Sequence, residues 1–284
     1  MSFKQANGWT AIIQPSRGWF DVKISDLWSY RDLILLFVRR DFVANYKQTV
    51  LGPLWFILQP LFSTLVFTVV FGNIAKIPTD GVPHVLFYMS GIVMWNYFAD
   101  CLTKTSNTFV NNAAIFGKVY FPRLAVPVSV VLTNLLTFMI QFCLLAFFLV
   151  YFSVRGADVR MHPLIGMLPL LLAQMAALGL GVGILVSSLT TRYRDLTFVM
   201  GFGVQLWMYA TPIVYPLSQI PERWRWVSAL NPMTAVVETF RYMLLGTGTF
   251  LPAYYAVSVT MTCVLLVIGL CMFSRVEKTF MDTI

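Results

Sequence analysis

An all-helical integral membrane protein with six transmembrane helices is predicted by three observations. Six stretches of the 284-residue chain, 48–75, 81–99, 124–154, 161–191, 196–221 and 242–274, contain no Asp, Glu, Lys or Arg. Each exceeds or approaches the about 20 residues that a helix needs to cross the hydrocarbon core. Only 11% of residues are charged and 58% are hydrophobic, with a mean hydropathy of +0.74, whereas a soluble domain carries about 25% charged residues. A water-soluble fold would have almost nothing polar left to cover its surface.

The third observation is where the positive charge lies. With the N-terminus cytoplasmic, the inner segments 1–53, 100–126, 190–195 and 275–284 carry seven, three, two and two Lys or Arg, and the outer segments 74–83, 153–163 and 217–251 carry one, two and three. Basic residues concentrate on the cytoplasmic side of membrane proteins, so both termini are expected inside. The net charge of +8 is spread over separate loops, which excludes a basic stripe for nucleic acid.

Residues 1–53 read as a cytoplasmic lead that ends in an interface helix, and 54–284 as the membrane domain. No cleavable signal peptide is expected, because the first 50 residues are polar. Over 24–47, Leu27, Tyr30, Ile34, Phe37, Val38 and Phe42 recur at helical spacing, with Ser25, Ser29, Asp32, Arg39 and Arg40 on other faces. That pattern predicts an amphipathic helix along the inner membrane surface, or a simple anchor for the first span.

Span one is placed at about 54–73, where Pro60 removes one intrahelical hydrogen bond and Gln59 offers a polar group to a lumen or a neighbour. Span two covers about 84–100. Within the cytoplasmic stretch that follows, a short helix over about 110–121 carries Ile115, Phe116, Val119 and Tyr120 as an apolar face that needs a partner, ended by Phe121-Pro122. Spans three, four and five follow at about 127–152, 164–189 and 196–216.

Between spans five and six, about 217–246, two short pieces at 218–230 and 232–245 flank Asn231-Pro232. Asn231 is a helix cap, Pro232 suits a first helical position, and Gly246 is placed to stop the second piece. Neither piece can span, so the region reads as a re-entrant helical hairpin in the outer leaflet or as a surface loop with two helices. Glu238 and Arg241, three apart, are positioned to pair. Span six covers about 252–273.

Catalytic chemistry is not expected. Twelve carboxylates are present and no two form an acid–base pair. His84 and His162 are single and read as interfacial packing, so no metal site is expected. Cys101, Cys143, Cys263 and Cys271 are isolated and read as small core hydrophobes. Gly179, Gly181 and Gly183 lie on more than one helix face, which points to close helix contacts, and Val186 stands where a dinucleotide fingerprint would need its last glycine. A phosphate loop also fails, with Asn112 in its first glycine position. No charge lies at the centre of any span, so an ion-coupled carrier is disfavoured and energy must come from elsewhere.

The runs Leu27-Trp28-Ser29-Tyr30-Arg31-Asp32-Leu33, Arg39-Arg40-Asp41-Phe42, Tyr46-Lys47-Gln48-Thr49-Val50-Leu51-Gly52-Pro53-Leu54-Trp55 and Gln59-Pro60 resemble the start of ABC-2 type polysaccharide export permeases. Tyr120-Phe121-Pro122-Arg123, Arg192-Tyr193-Arg194-Asp195 and Leu230-Asn231-Pro232-Met233 match further along in family order. The resemblance implies a homodimer in the bacterial cytoplasmic (inner) membrane, joined by two copies of a separate ABC ATPase. Such permeases export lipid-linked O-antigen, capsular polysaccharide or teichoic acid. It also implies that this chain holds no cofactor, ATP and Mg being bound by the partner ATPase. The contact with that ATPase falls on the interface helix, on a coupling helix with Ile115, Phe116, Lys118, Val119 and Tyr120, and on the turn with Arg192, Arg194 and Asp195. On this basis Phe116→Asp is expected to uncouple the ATPase while leaving insertion intact.

Aromatic faces suit the CH-rich side of sugar rings, which makes Gln59, Phe62, Gln205, Trp207 and Tyr209 the candidate channel residues. Arg39 and Arg40 either hold the carrier's pyrophosphate at headgroup level or simply satisfy the charge asymmetry. A small-molecule or drug efflux permease of the same architecture is the nearest rival, and a membrane-embedded transferase is disfavoured by the missing acid–base groups.

Overall fold

A computed structural model describes residues 24–44, 47, 49–119, 121–191, 193 and 195–279. These residues form helices and connections, with no strand among them. The helices are α1 (Ile24–Ser29), α2 (Arg31–Ala44), α3 (Trp55–Phe67), α4 (His84–Ser106), α5 (Thr108–Phe116), α6 (Ala125–Val154), α7 (Leu168–Thr190), α8 (Leu196–Ala210), α9 (Glu222–Leu230), α10 (Pro232–Leu245) and α11 (Pro252–Thr279).

Five of these segments are long and apolar enough to cross a membrane: Gly52–Ile74, His84–Ser106, Ala125–Val154, Pro163–Thr190 and Pro252–Val276. The expected fifth span is shorter than its charge-free run. α8 has 15 residues, about 22 Å at 1.5 Å rise, against a hydrocarbon core of about 30 Å. Pro212 is the cause. It cannot continue a helical hydrogen-bond ladder and it drives the residue before it out of the helical region, and Thr211 is extended at φ −97° and ψ 142°.

Burial sorts the long helices into centre and rim. α4 is buried along 78% of its apolar stretch and the α7 segment along 56%, whereas the segments of α3, α6 and α11 reach only 11%, 28% and 22%. The most extensive packing is α7 against α11 and against α4, with α6 and α3 on other sides of α4. Lipid tails give no hydrophobic drive for helices to associate, so close approach through small residues has to supply the contact. The glycines of α7 do this on two faces. A Cβ on Gly181 would lie 2.7 Å from Leu266 Cα of α11, while Cβ atoms on Gly179 and Gly183 would lie 2.8 Å from Cys101 Cβ and 2.6 Å from Thr105 Cβ of α4. Across the same crossing, a Cβ on Gly269 would run into the Gly181 carbonyl oxygen.

The amphipathic stretch is broken in two at Tyr30. Ile34 and Phe37 of α2 are buried in a cluster with Phe116, Phe121 and Val126, while Leu35 and Leu36 are each 60% exposed. The unbroken apolar run Leu33–Val38 is therefore divided between protein and surroundings. α3 continues as a π-helix over Thr68–Ile74. There Gly72 lies against the His84 imidazole, where a Cβ would come within 2.6 Å of Cδ2.

The expectation for the four cysteines needs correction. Cys101 is fully buried, but Cys143 and Cys263 are exposed on α6 and α11 and Cys271 is half-buried, so the reading of all four as core residues fails for those three. The cause is the same in each case: on a rim helix, apolar sequence faces outward as readily as inward.

Candidate functional site

Two features stand out at opposite ends of the bundle. At the end where α4 stops and α6 begins, a cleft of about 400 Å³ opens between α2, α4, α5 and α6. Arg40, Asp41, Lys104, Asn111, Asn112, Thr133 and Asn134 line it. Lys104 Nζ donates to Asp100 Oδ2 at 3.0 Å and to Asn134 Oδ1 at 2.8 Å. Arg40 donates from Nε to Asp41 Oδ1 at 2.7 Å, and its guanidinium lies 4.7 Å from the Phe37 ring centre. The cleft continues into a line of polar contacts between α4 and α6, where Asn134 Nδ2 meets Cys101 Sγ at 3.9 Å and Asn96 Nδ2 donates to Gln141 Oε1 at 3.4 Å. Lys104, Asn111, Asn112 and Asn134 were missed in the sequence, because each is a single polar residue whose meaning appears only when α4, α5 and α6 meet. Arg39 is exposed on α2 and lines no part of the cleft.

The opposite end is built around α10. Asn231 caps it by accepting from Met233 N at 3.1 Å, Pro232 occupies the first turn, and Gly246 ends it at φ 73°. All these roles are as the sequence predicts. Of its residues, only Tyr242 is not buried. Arg241 and Glu238 are 1% and 3% exposed and stand 3.6 Å apart, the predicted pair.

The candidate channel residues divide. Gln59 and Phe62 lie exposed on α3, and Gln205 and Tyr209 lie exposed on α8. Phe198, 85% exposed, and Phe202, 66% exposed, extend the α8 face at helical spacing. Phe198 and Phe202 were missed in the sequence, although their spacing to Gln205 and Tyr209 places all four on one helix face. Trp207 departs from the expectation. Its ring packs edge-on against Phe98 and Trp95, with centroids 5.1 and 6.5 Å away, and its Nε1 donates to Asn231 Oδ1 at 2.9 Å. It faces the α4–α10 side, opposite to the exposed stripe, because successive helix positions about two apart point to different faces.

The predicted coupling helix also changes. α5 runs Thr108–Phe116, two residues earlier at its start and five shorter at its end than expected. Phe116 is 4% exposed, with rings of Phe109 and Phe121 6.0 and 5.7 Å away and Arg123 over its face at 5.7 Å. Ile115 is half-buried against the same cluster. The apolar face therefore finds its partner within the chain. What α5 and the turn after it leave open is Val110 at 50% exposure, Lys118, and Val119 at 60%. Asp195 is exposed at the start of α8. Tyr120, Arg192 and Arg194 lie outside the described residues.

Among the described residues no three His, Cys, Asp or Glu side chains group to hold a metal. His84 packs on Gly72 and Tyr88, and His162 accepts from Leu164 N at 3.2 Å while its ring lies 4.8 Å from that of Tyr242. Both act as packing groups.

The described residues form a helical bundle in which five segments are long and apolar enough to cross a membrane. The family model for ABC-2 type transporters matches residues 32–245, and the chain belongs to that family. It is similar to an O-antigen export system permease protein of Klebsiella pneumoniae, 28% identical over 88% of this chain and 94% of the relative. A second permease protein of that description from Klebsiella pneumoniae is 27% identical over the same shares. One from Myxococcus xanthus is 27% identical over 77% of this chain and 82% of the relative.

Proposed function

We propose that this chain is the membrane permease subunit of an ATP-driven exporter that moves a lipid-linked polysaccharide of the O-antigen type across the bacterial cytoplasmic membrane. The observation that carries this reading is the likeness to O-antigen export permeases over 88% of the chain, within the ABC-2 family. The drug-efflux alternative has no comparable support. α8 together with residues 211–216 serves as the fifth of six spans, α9 and α10 form the outer re-entrant pair, and α2 lies at the inner interface, with both termini cytoplasmic.

The uncovered aromatic faces of α3 and α8 flank α4 and suit a seam between two copies, where sugar rings would slide over Phe62, Phe198, Phe202 and Tyr209 without fixed charge pairing. The cleft with Arg40 and Lys104 lies at the inner headgroup level and is suited to the carrier's pyrophosphate, since charge-assisted donors bind phosphate oxygens strongly. Two copies of a separate ATPase dock on the α5 end, through Val110, Lys118, Val119 and Asp195.

Deleting the gene tests the reading: the cell should lose one surface glycan and accumulate its lipid-linked precursor inside, and an unchanged surface glycan would sink it. For the docking surface, Val110→Asp puts a carboxylate on an already exposed position, so the folded permease is expected at wild-type yield. Co-purification of the ATPase should fall about tenfold, as expected when a charge is buried unpaired at an interface.

A further inference from the structure

The backbone where α8 breaks is satisfied carbonyl by carbonyl. Trp207 O accepts from Thr211 Oγ1 at 2.8 Å, Met208 O from Thr211 N at 3.2 Å, and Tyr209 O from Tyr215 Oη at 3.2 Å. Ala210 O accepts from Asn231 Nδ2 at 3.4 Å and Thr211 O from Ile213 N at 2.7 Å. Pro212 O and Ile213 O accept from Arg241 Nη1 and Nη2 at 2.5 and 2.8 Å. In a bilayer no water is available for a broken helix end, and each unpaired carbonyl costs several kcal/mol. Three of these seven acceptors are served from Asn231 and Arg241, at the two ends of α10.

The same two side chains reach further. Asn231 Nδ2 donates to Thr211 Oγ1 at 2.9 Å and its Oδ1 holds the Trp207 indole. Arg241 also donates to Phe87 O at 3.3 Å on α4, and its guanidinium stacks 3.7 Å over the Phe87 ring. Gly91 leaves room for it, since a Cβ there would come 2.9 Å from Arg241 Nη2.

We propose that Asn231 and Arg241 are positioning residues for translocation: they weld the broken tip of α8 to α10, so that any displacement of α8 at its coupling end is delivered to the outer helix pair. This rests on the permease reading above. Without the weld, α8 would move while α10 stayed with α4, and ATP would be hydrolysed without passage of the glycan.

The test uses the full permease–ATPase complex in inverted membrane vesicles, with the lipid-linked precursor from the deletion strain as probe and shielding from periodate as the measure of passage. The quantity read is glycan moved per ATP hydrolysed, which does not depend on how much protein folds. Asn231→Ser retains a capping oxygen for Met233 N but cannot reach α8. Arg241→Lys retains the charge for Glu238 but replaces the planar fork by a single ammonium. Both are expected to lower the ratio about tenfold or more, within the usual range of coupling between sites. Wild-type ratios in both variants would overturn the weld. If Asn231→Ser fails to assemble, Thr211→Val, which removes one acceptor and leaves the cap of α10 intact, decides by the same ratio. Failure of the wild-type complex to move the precursor would instead count against the permease reading itself.

Discussion

Gly269→Leu is expected to leave little or no folded protein. At this point α11 crosses α7 backbone to backbone, and any Cβ on Gly269 meets the Gly181 carbonyl oxygen and lies 3.0 Å from Ile184 Cγ1. Backbone cannot rotate away as the end of a flexible side chain can, so the two longest-packed helices must part. Leucine gains roughly 1 kcal/mol of helix propensity over glycine, but overpacking of this kind costs roughly 3 kcal/mol or more. The separation also disturbs the buried link in which Gln174 Nε2 donates to Ser258 Oγ at 2.7 Å and Ser258 Oγ donates to Pro232 O at 2.6 Å. Thermal unfolding in detergent should show the loss, with Gly166→Ala as control, since nothing lies within 4 Å of a Cβ there. A Gly269→Leu protein with the wild-type melting temperature would refute the crossing.

Phe116→Asp is expected to destroy the fold at the α5 end and not merely to uncouple a partner. The ring sits in the cluster that holds α2, α5, the start of α6 and Phe273 of α11 together. Losing a buried phenylalanine costs about 3–5 kcal/mol, and the new carboxylate must be desolvated as well. Arg123, 5.7 Å from the ring centre, offsets only part of that. The measurement is the yield of monodisperse protein beside Val110→Asp. Equal yields for the two variants would show that the Phe116 side chain is not a structural one.

The contrast between these two residues explains much of what the sequence could convey. Charge-free runs and their flanking signals located α4, α6, α7 and α11 to within six residues at each end, because a bilayer-length apolar helix leaves an unambiguous pattern. The caps of α10 were legible for the same local reason, since Asn231, Pro232 and Gly246 each act on neighbouring backbone. Which apolar face is covered is a tertiary matter. Phe116 and Val110 are six apart on one short helix, equally apolar in sequence, yet one is 4% and the other 50% exposed. Trp207 misled in the same way, its fate being set by Asn231 24 positions later. The early end of α8 was readable from Pro212, which the absence of charge obscured. Arg241 was readable as a pair for Glu238, but its three carbonyl acceptors belong to segments about 28 and 154 positions away.

The acceptors of residues 207–213 also dictate an order of biogenesis. Thr211 and Tyr215 arrive with α8 itself, but Asn231 and Arg241 are synthesised 21 to 29 residues after the α8-end carbonyls they serve. Until then the nascent tip of α8 must keep its hydration and stay at the lipid headgroups. The final seating of that helix therefore waits for a later part of the polypeptide, and a ribosome stalled between them leaves a half-inserted chain for quality-control proteases to find.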